Sequence, residues 1–525
     1  IALMRFPQVF APHSPGPLPV ISTPLRIALL WAAVAAPLSA QSGFLIDDVL
    51  ILDGTGAPEV HGAVRVEGGR IAAVGALTPL PGERVVAGHG FALAPGFIDT
   101  HSHADGDLEE LPDALGAVSQ GITTVIVGQD GSSPYPLADF YRRLEQQPVA
   151  LNVAAYAGHN TIREFVLLND WRRVATAEEV GRMKVLLRQE LAAGALGLST
   201  GLEYDPGIYS APAEILALAH TTADAGGRYI SHVRSEDRHF WAAIEELLTI
   251  GREARLPVQI SHVKLAMRSL WGQADSLIRR LNQARAEGID VTADIYPYPY
   301  WHSTLTVLFP ERDYKDRREA EFAVTQVSTP AGLKLGVYKP NPEFTGRTVA
   351  DVAEALGVGS VTALIELIAR AEQMRAEGGS DVESVIGTSM IEPDIEALIR
   401  WPFTNFCTDG ALAGRHPRGF GSYPRFLGRY VRERSVLSLA EAVHRATALA
   451  AAHVGITDRG RVVPGLAADL VLFDSATVLD RATPDEPRAV SEGIVMTWVN
   501  GELVYQQGGV TGRHPGRVIR RVERR

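Results

Sequence analysis

Four histidines and one aspartate stand where short apolar runs of the chain end. His101 and His103 close PGFIDTHSH, His232 closes YISH, His262 closes VQISH, and Asp409 closes FCTD. Residues two apart on a strand point to the same face, so His101 and His103 offer both imidazoles to one side. A single strand histidine is ordinary structure. Five ligand-type groups at the ends of four strands instead read as a metal centre. Imidazole and carboxylate together suit Zn2+ or a similar borderline divalent ion, one or two of them. His159, in YAGHN at the end of a further strand, is placed either to face the same cavity as an oxyanion donor or to make a structural hydrogen bond.

Those residues need a scaffold that brings strand ends together. Eight apolar strands alternate with amphipathic helical intervals: 97–103, 123–128, 151–158, 195–204, 228–234, 258–264, 290–296 and 404–409. That alternation predicts an α/β fold, a (β/α)8 TIM-type barrel over 95–455, with its active site at the carboxyl ends of the strands. Residues 297–400 break the rhythm and read as a lid insertion over the mouth. Gly-punctuated β-rich pieces at 41–94 and from 456 onward are each too small for a core. They are expected to pair into one small β-sandwich domain built from both chain ends. An Arg-rich tail (Arg513, Arg517, Arg520, Arg521, Arg524, Arg525) follows and reads as a solvated end.

At the other end, Arg26 precedes the apolar run Ile27 to Leu38, followed by Ser39 and Ala40. This is the pattern of a signal peptide over 1–40, too short to span a bilayer, and it predicts export to the periplasm or outside, with no membrane span after its removal. The 525 residues carry a net charge of −11, which argues against a nucleic-acid partner. Cys407, the single cysteine, excludes a disulfide framework and any Cys-rich metal ribbon. The partner expected is a small molecule.

APGFIDTHSH, GITTVIVG, GALGLSTGLEYDPG, YISHVRSE, ISHVK, YPY, HPRGFGSYPRFLGRYVRE and DRGRVVPGLAADLVLFD together resemble the amidohydrolase superfamily, and within it the N-acyl-D-amino-acid deacylase (D-aminoacylase) family. The likeness runs over nearly the whole chain after the leader. It implies hydrolysis of the amide bond of N-acyl-D-amino acids by a metal-activated hydroxide, with Asp409 as general base and then acid. It also implies one ion held by His101, His103 and Asp409, and a second by His232 and His262. Tyr204, Lys264 and Arg418 fall where the family binds the substrate carboxylate.

The chain departs from the family at Gly128-Gln129-Asp130-Gly131, where D-aminoacylases carry a ligand cysteine. A carboxylate with two oxygens can bridge two ions as a thiolate does. Glu203 is the favoured bridge, with Asp130 as ligand or supporting partner. Two other readings stay open: a metal-dependent dipeptidase acting on D-containing or isoaspartyl dipeptides, and an exported binding homologue without catalysis.

Overall fold

The computed structural model describes residues 43–522, so the leader expected over 1–40 lies outside the described residues. The β-rich N-terminal piece gives β1 (Phe44–Ile51), β2 (Val60–Glu67), β3 (Arg70–Gly75), β4 (Arg84–Ala87) and β5 (Ala92–Pro95). The barrel strands then begin: β6 (Phe97–Asp99), β7 (Ile122–Val127), β8 (Asn152–Ala155), β9 (Ala157–Gly158), β10 (Gly197–Gly201), β11 (Arg228–His232), β12 (Val258–Ile260) and β13 (Val291–Ile295). The insertion supplies β14 (Tyr300–Ser303), β15 (Leu333–Tyr338) and β16 (Glu383–Thr388), and β17 (Thr404–Phe406) completes the barrel. The C-terminal piece adds β18 (Leu470–Phe473), β19 (Ile494–Val499), β20 (Glu502–Gln506) and β21 (Gly509–Val510).

The parallel barrel strands run β6-β7-β8 and β9-β10-β11-β12-β13-β17. They are almost wholly buried, as strands covered on both faces must be. β8 and β9 are one strand interrupted at Tyr156; its first half pairs with β7 and its second with β10. The ring closes where the Asp409 N–H donates to the His101 carbonyl at 2.8 Å, beside a bridge between Ser102 and Gly410. All eight expected strands are present, and all but β7 are shorter than their apolar runs. β6 stops at Asp99, so His101 and His103 ride on the turn beyond it.

Both chain ends meet in one nine-stranded sheet, where β5 pairs with β1 on one side and with β18 on the other. The buried Asp469 ties this sheet to the barrel, accepting from Asn152 of β8 at 3.0 Å, from the Asn500 backbone at 2.6 Å and from Arg459. Residues 41–525 form one compact unit. The insertion folds as an antiparallel β14-β16-β15 sheet flanked by helices. Its Arg312 reaches back to the loop after β10, at 2.9 Å from Asp205 and 2.8 Å from the Glu203 carbonyl.

Arg513, Arg517 and Arg520 of the tail are exposed as expected, but its backbone and Arg521 dock on the barrel. Val153 of β8 donates to the Arg517 carbonyl at 3.0 Å, and Ile519 donates to the Val153 carbonyl at 2.8 Å. Arg521 donates to the carbonyls of Leu191 and Ala225, near the ends of the helices Ala177–Ala193 and Pro212–Asp224. Helix ends leave carbonyls without partners, and a guanidinium satisfies several at once. Among the described residues, no single helix is long and apolar enough to cross a membrane.

Candidate metal centre and active site

The strand ends converge on a cavity of about 420 Å³ whose floor is made of imidazoles and carboxylates. Asp130 stands at its middle. Oδ1 lies 3.4 Å from Nε2 of both His101 and His262, and Oδ2 lies 3.5 Å from His103 Nε2. Asp409 Oδ1 is 3.1 Å from His103 Nε2 and 3.5 Å from His101 Nε2. Backbone geometry makes this approach possible. Asp130 and Asp409 both sit at φ 52°, a left-handed conformation that Asp tolerates better than most residues. Gly131 must be glycine to close the Asp130 turn, because a Cβ there would stand 2.3 Å from Asn160 Oδ1.

Among the described residues, two groups of side chains could hold a cation: His101, Asp130, His262 and Asp409, and, sharing His262, His232 with Glu236. The donor chemistry fits a divalent ion. His101 is fully buried, yet neither ring nitrogen has a hydrogen-bond partner, and Asp130 Oδ1 is buried and unpartnered too. His232 Nε2 meets Glu203 at 2.9 Å and His262 Nδ1 meets Glu236 at 3.1 Å. Lys264 Nζ also lies 2.7 Å from His262 Nδ1, so that nitrogen stands between an ammonium that donates and a carboxylate that accepts. His232 Nδ1 and His262 Nε2 face each other across 3.1 Å. A cation between those two would place hydrogen on His262 Nδ1 and His232 Nε2, where Glu236 and Glu203 accept it.

The electrostatics agree. Burial works against charging His103, but Asp130 and Asp409 outweigh it and push its pKa up to about 10. Burial and Lys264 oppose the His262 charge, yet Asp130, Asp409 and Glu236 likewise push it up to about 10. Burial also opposes the Asp130 charge, while His101 and His262 hold its carboxyl well below the usual range. Asp409 is held low in the same way by Arg418 and His262. A pocket that keeps protons this firmly suits a divalent ion in their place, with protons released on binding.

His101, His103, His232, His262, Asp130 and Asp409 are thus brought together. Glu203 takes a different place from the bridge expected of it. It stands behind His232 and belongs to neither cation group, because the chain turns away after β10 and its carboxylate reaches the outer nitrogen. Asp130 takes the central position instead. His159 does not face the cavity. β9 ends at Gly158 and a helix begins at His159, which turns the ring outward, fully buried, onto Glu214 at 2.8 Å. Burial raises the Glu214 carboxyl, but His159 and Arg163 hold it low, so this is a structural ion cluster. Cys407 lies beneath the centre, its thiol donating to Asp294 at 3.3 Å and pushed up by burial.

The three expected carboxylate anchors line the cavity. Arg418 Nη1 meets Asp409 Oδ2 at 2.5 Å, Lys264 Nζ meets Glu236 at 2.6 Å, and the Tyr204 ring packs on His232 with centroids 4.4 Å apart. Two further residues went unassigned in the sequence. Glu236 stands four residues after His232 in YISHVRSE, an acid just past a ligand-bearing strand end. Tyr296 of YPY lies between the anchors, with Lys264 Nζ 5.6 Å and Arg418 Cζ 5.1 Å from its ring, and its buried hydroxyl has no hydrogen-bond partner.

A family model described as "Amidohydrolase family" matches residues 84–325 and 395–505. The chain is 36% identical to an N-acyl-D-glutamate deacylase of Alcaligenes xylosoxydans xylosoxydans, over 91% of this chain and 96% of that protein. It is 34% identical to a D-aminoacylase of the same organism, over 90% and 96%. Its fold matches the crystal structure of an N-acyl-D-glutamate deacylase from Bordetella bronchiseptica complexed with zinc and a phosphonate mimic of the tetrahedral intermediate. The TM-score is 0.81 at 36% identity, covering 91% of this chain and 99% of that one. A D-aminoacylase structure concerned with a binuclear metal centre matches with a TM-score of 0.81 at 34% identity, with the same coverage. With its metal-type floor, its barrel and these relatives, the chain belongs to the amidohydrolase family, among the N-acyl-D-amino-acid deacylases (D-aminoacylases).

Proposed function

We propose that this chain is a zinc-dependent hydrolase that cleaves the amide bond of N-acyl-D-amino acids, releasing a carboxylic acid and a D-amino acid. The observation that carries this reading is the convergence of unpartnered ring nitrogens and carboxylate oxygens on a cavity that also presents Lys264 and Arg418. His101, His103, His232 and His262 would hold the metal with Asp130 and Asp409. The ion, when bound, supplies Lewis-acid polarisation of the amide carbonyl and makes water acidic enough to react near neutral pH.

The chain's own groups do the rest. Asp409, kept ionised by Arg418, takes the proton from the attacking water and passes it to the leaving nitrogen, which departs poorly as an amide anion. Lys264, Arg418 and Tyr204 fix the free carboxylate, and a guanidinium forks well onto one. Trp301, Val307, Leu308 and Val327 of the insertion make an apolar wall for the acyl group or side chain.

The test is a panel of N-acetyl-D- and N-acetyl-L-amino acids set against D-containing and isoaspartyl dipeptides, run with zinc and with chelator. Turnover of the D-acyl compounds that chelator abolishes is expected. Preference for dipeptides would replace this reading with the dipeptidase one, and no turnover with bound zinc would favour the binding homologue. The proposal includes export, resting on the apolar run after Arg26. Secretion with a mature N-terminus near Gln41 is expected, and an intact leader on cytoplasmic protein would refute it.

A further inference from the structure

A single carboxylate oxygen, Glu236 Oε1, serves two side chains with different tasks. It lies 2.6 Å from Lys264 Nζ and 3.1 Å from His262 Nδ1, and Lys264 Nζ itself lies 2.7 Å from that Nδ1. His262 turns its other nitrogen inward, 3.4 Å from Asp130 Oδ1 and 3.1 Å from His232 Nδ1. Glu236 therefore stands behind His262 with respect to the cation position among His101, Asp130, His262 and Asp409. We infer that Glu236 is a positioning residue that couples cation affinity at His262 to carboxylate binding at Lys264.

The coupling follows from the sharing. Lys264 and Glu236 contend for Nδ1: a metal at Nε2 requires hydrogen on Nδ1, and Glu236 then accepts it, orienting the ring and making Nε2 a stronger donor to the metal. The same oxygen neutralises an ammonium whose side chain is only 5% exposed. A cation at Nε2 acidifies the Nδ1–H and draws Glu236 toward His262, which frees the Lys264 donors for a substrate carboxylate. A carboxylate at Lys264 in turn leaves Glu236 to His262, and linkage makes the two effects equal. The anchoring task of Lys264 rests on the proposed function; the support of His262 does not.

The experiment compares the full-length protein with Glu236→Gln, Glu236→Asp and Lys264→Met, with thermal melts to confirm folding. Zinc affinity is read by chelator competition, and kcat and KM are read on the best substrate of the panel. Glu236→Gln should bind zinc about 10- to 100-fold more weakly. At saturating zinc its KM should fall about tenfold with kcat little changed, because Lys264 loses the acceptor that competes with the substrate carboxylate. Glu236→Asp should recover part of both effects. Parental zinc affinity in Glu236→Gln, or weaker zinc with unchanged KM, would overturn the coupling.

A substrate-independent arm separates this inference from the proposed function. Lys264→Met should tighten zinc in the parent and leave it unchanged in the Glu236→Gln background. Equal effects in both backgrounds would sink the coupling even if the panel shows turnover. The expected difference would sustain it even if the panel shows none.

Discussion

Asp130→Asn is the sharpest perturbation of the centre, because it removes a charge and little else. Asn is nearly isosteric and accepts the left-handed φ of 52° as readily as Asp, so the turn should keep its shape. The charge it removes sits 3.4 Å from two imidazole nitrogens and 3.5 Å from a third. At an effective dielectric of ~20, one unit of charge at that distance is worth ~5 kcal/mol. The amide oxygen and entering water return part of this, so we expect a loss of at least ~2.7 kcal/mol, or about 100-fold in zinc affinity. Competition with a graded series of chelators measures it directly, and thermal melts of the metal-free proteins control for folding. Zinc affinity within about threefold of the parent would refute the central place given to Asp130. Glu203→Gln supplies the contrast: as a partner behind His232, it should cost only ~10- to 100-fold.

Asp409→Asn should lower kcat by roughly 10²- to 10⁴-fold at saturating zinc, the worth of a positioned general base; near-normal turnover would remove Asp409 from the proton pathway. Folding raises the His103 and His262 pKa values above their ordinary value to about 10. Their stabilisation of the metal-free protein is therefore complete below pH ~6.5 and lost as pH rises toward 10, and melts across that range should show the decline. Zinc uptake near pH 8 should release protons, seen as calorimetric heats that depend on buffer ionisation, and buffer-independent heats would contradict the assignment. Arg312→Ala frees the loop carrying Glu203 and Tyr204 from the insertion and should raise KM about tenfold with kcat largely kept. An unchanged KM would show that the loop holds itself.

The ligands legible in the sequence were those whose position follows from a strand end. His101, His103, His232, His262 and Asp409 stand within a few residues of β6, β11, β12 and β17, and a barrel sends such residues to one mouth whatever the loops do. The choice between Asp130 and Glu203 was not legible, because both follow a strand by two or three residues. Only the left-handed backbone at Asp130 aims one of them inward. His159 misled for a related reason: no signal in YAGHN separates a strand's last residue from a helix's first, and that one step turned the ring away from the cavity. Glu236 needed knowledge of which imidazole nitrogen faces the centre. The docking of the tail depended on carbonyls at two helix ends that are remote in sequence.

That docking also bears on how the molecule is made. The gap between β8 and β10 is stitched below Ala155 by Arg517, Val518 and Ile519, and β5 of the N-terminal piece finds its second neighbour only in β18. A chain that folds from its N-terminal side can thus assemble most of the barrel while one seam stays open. Val153 keeps an unpaired strand edge until residues some 365 positions later arrive to cover it. Such an edge invites pairing with another chain, so the interval before the tail docks is when the folding protein is most exposed to misassembly. The backbone of residues 517–519, with Arg521, then acts as the final closure of a ring whose other strands have long been in place.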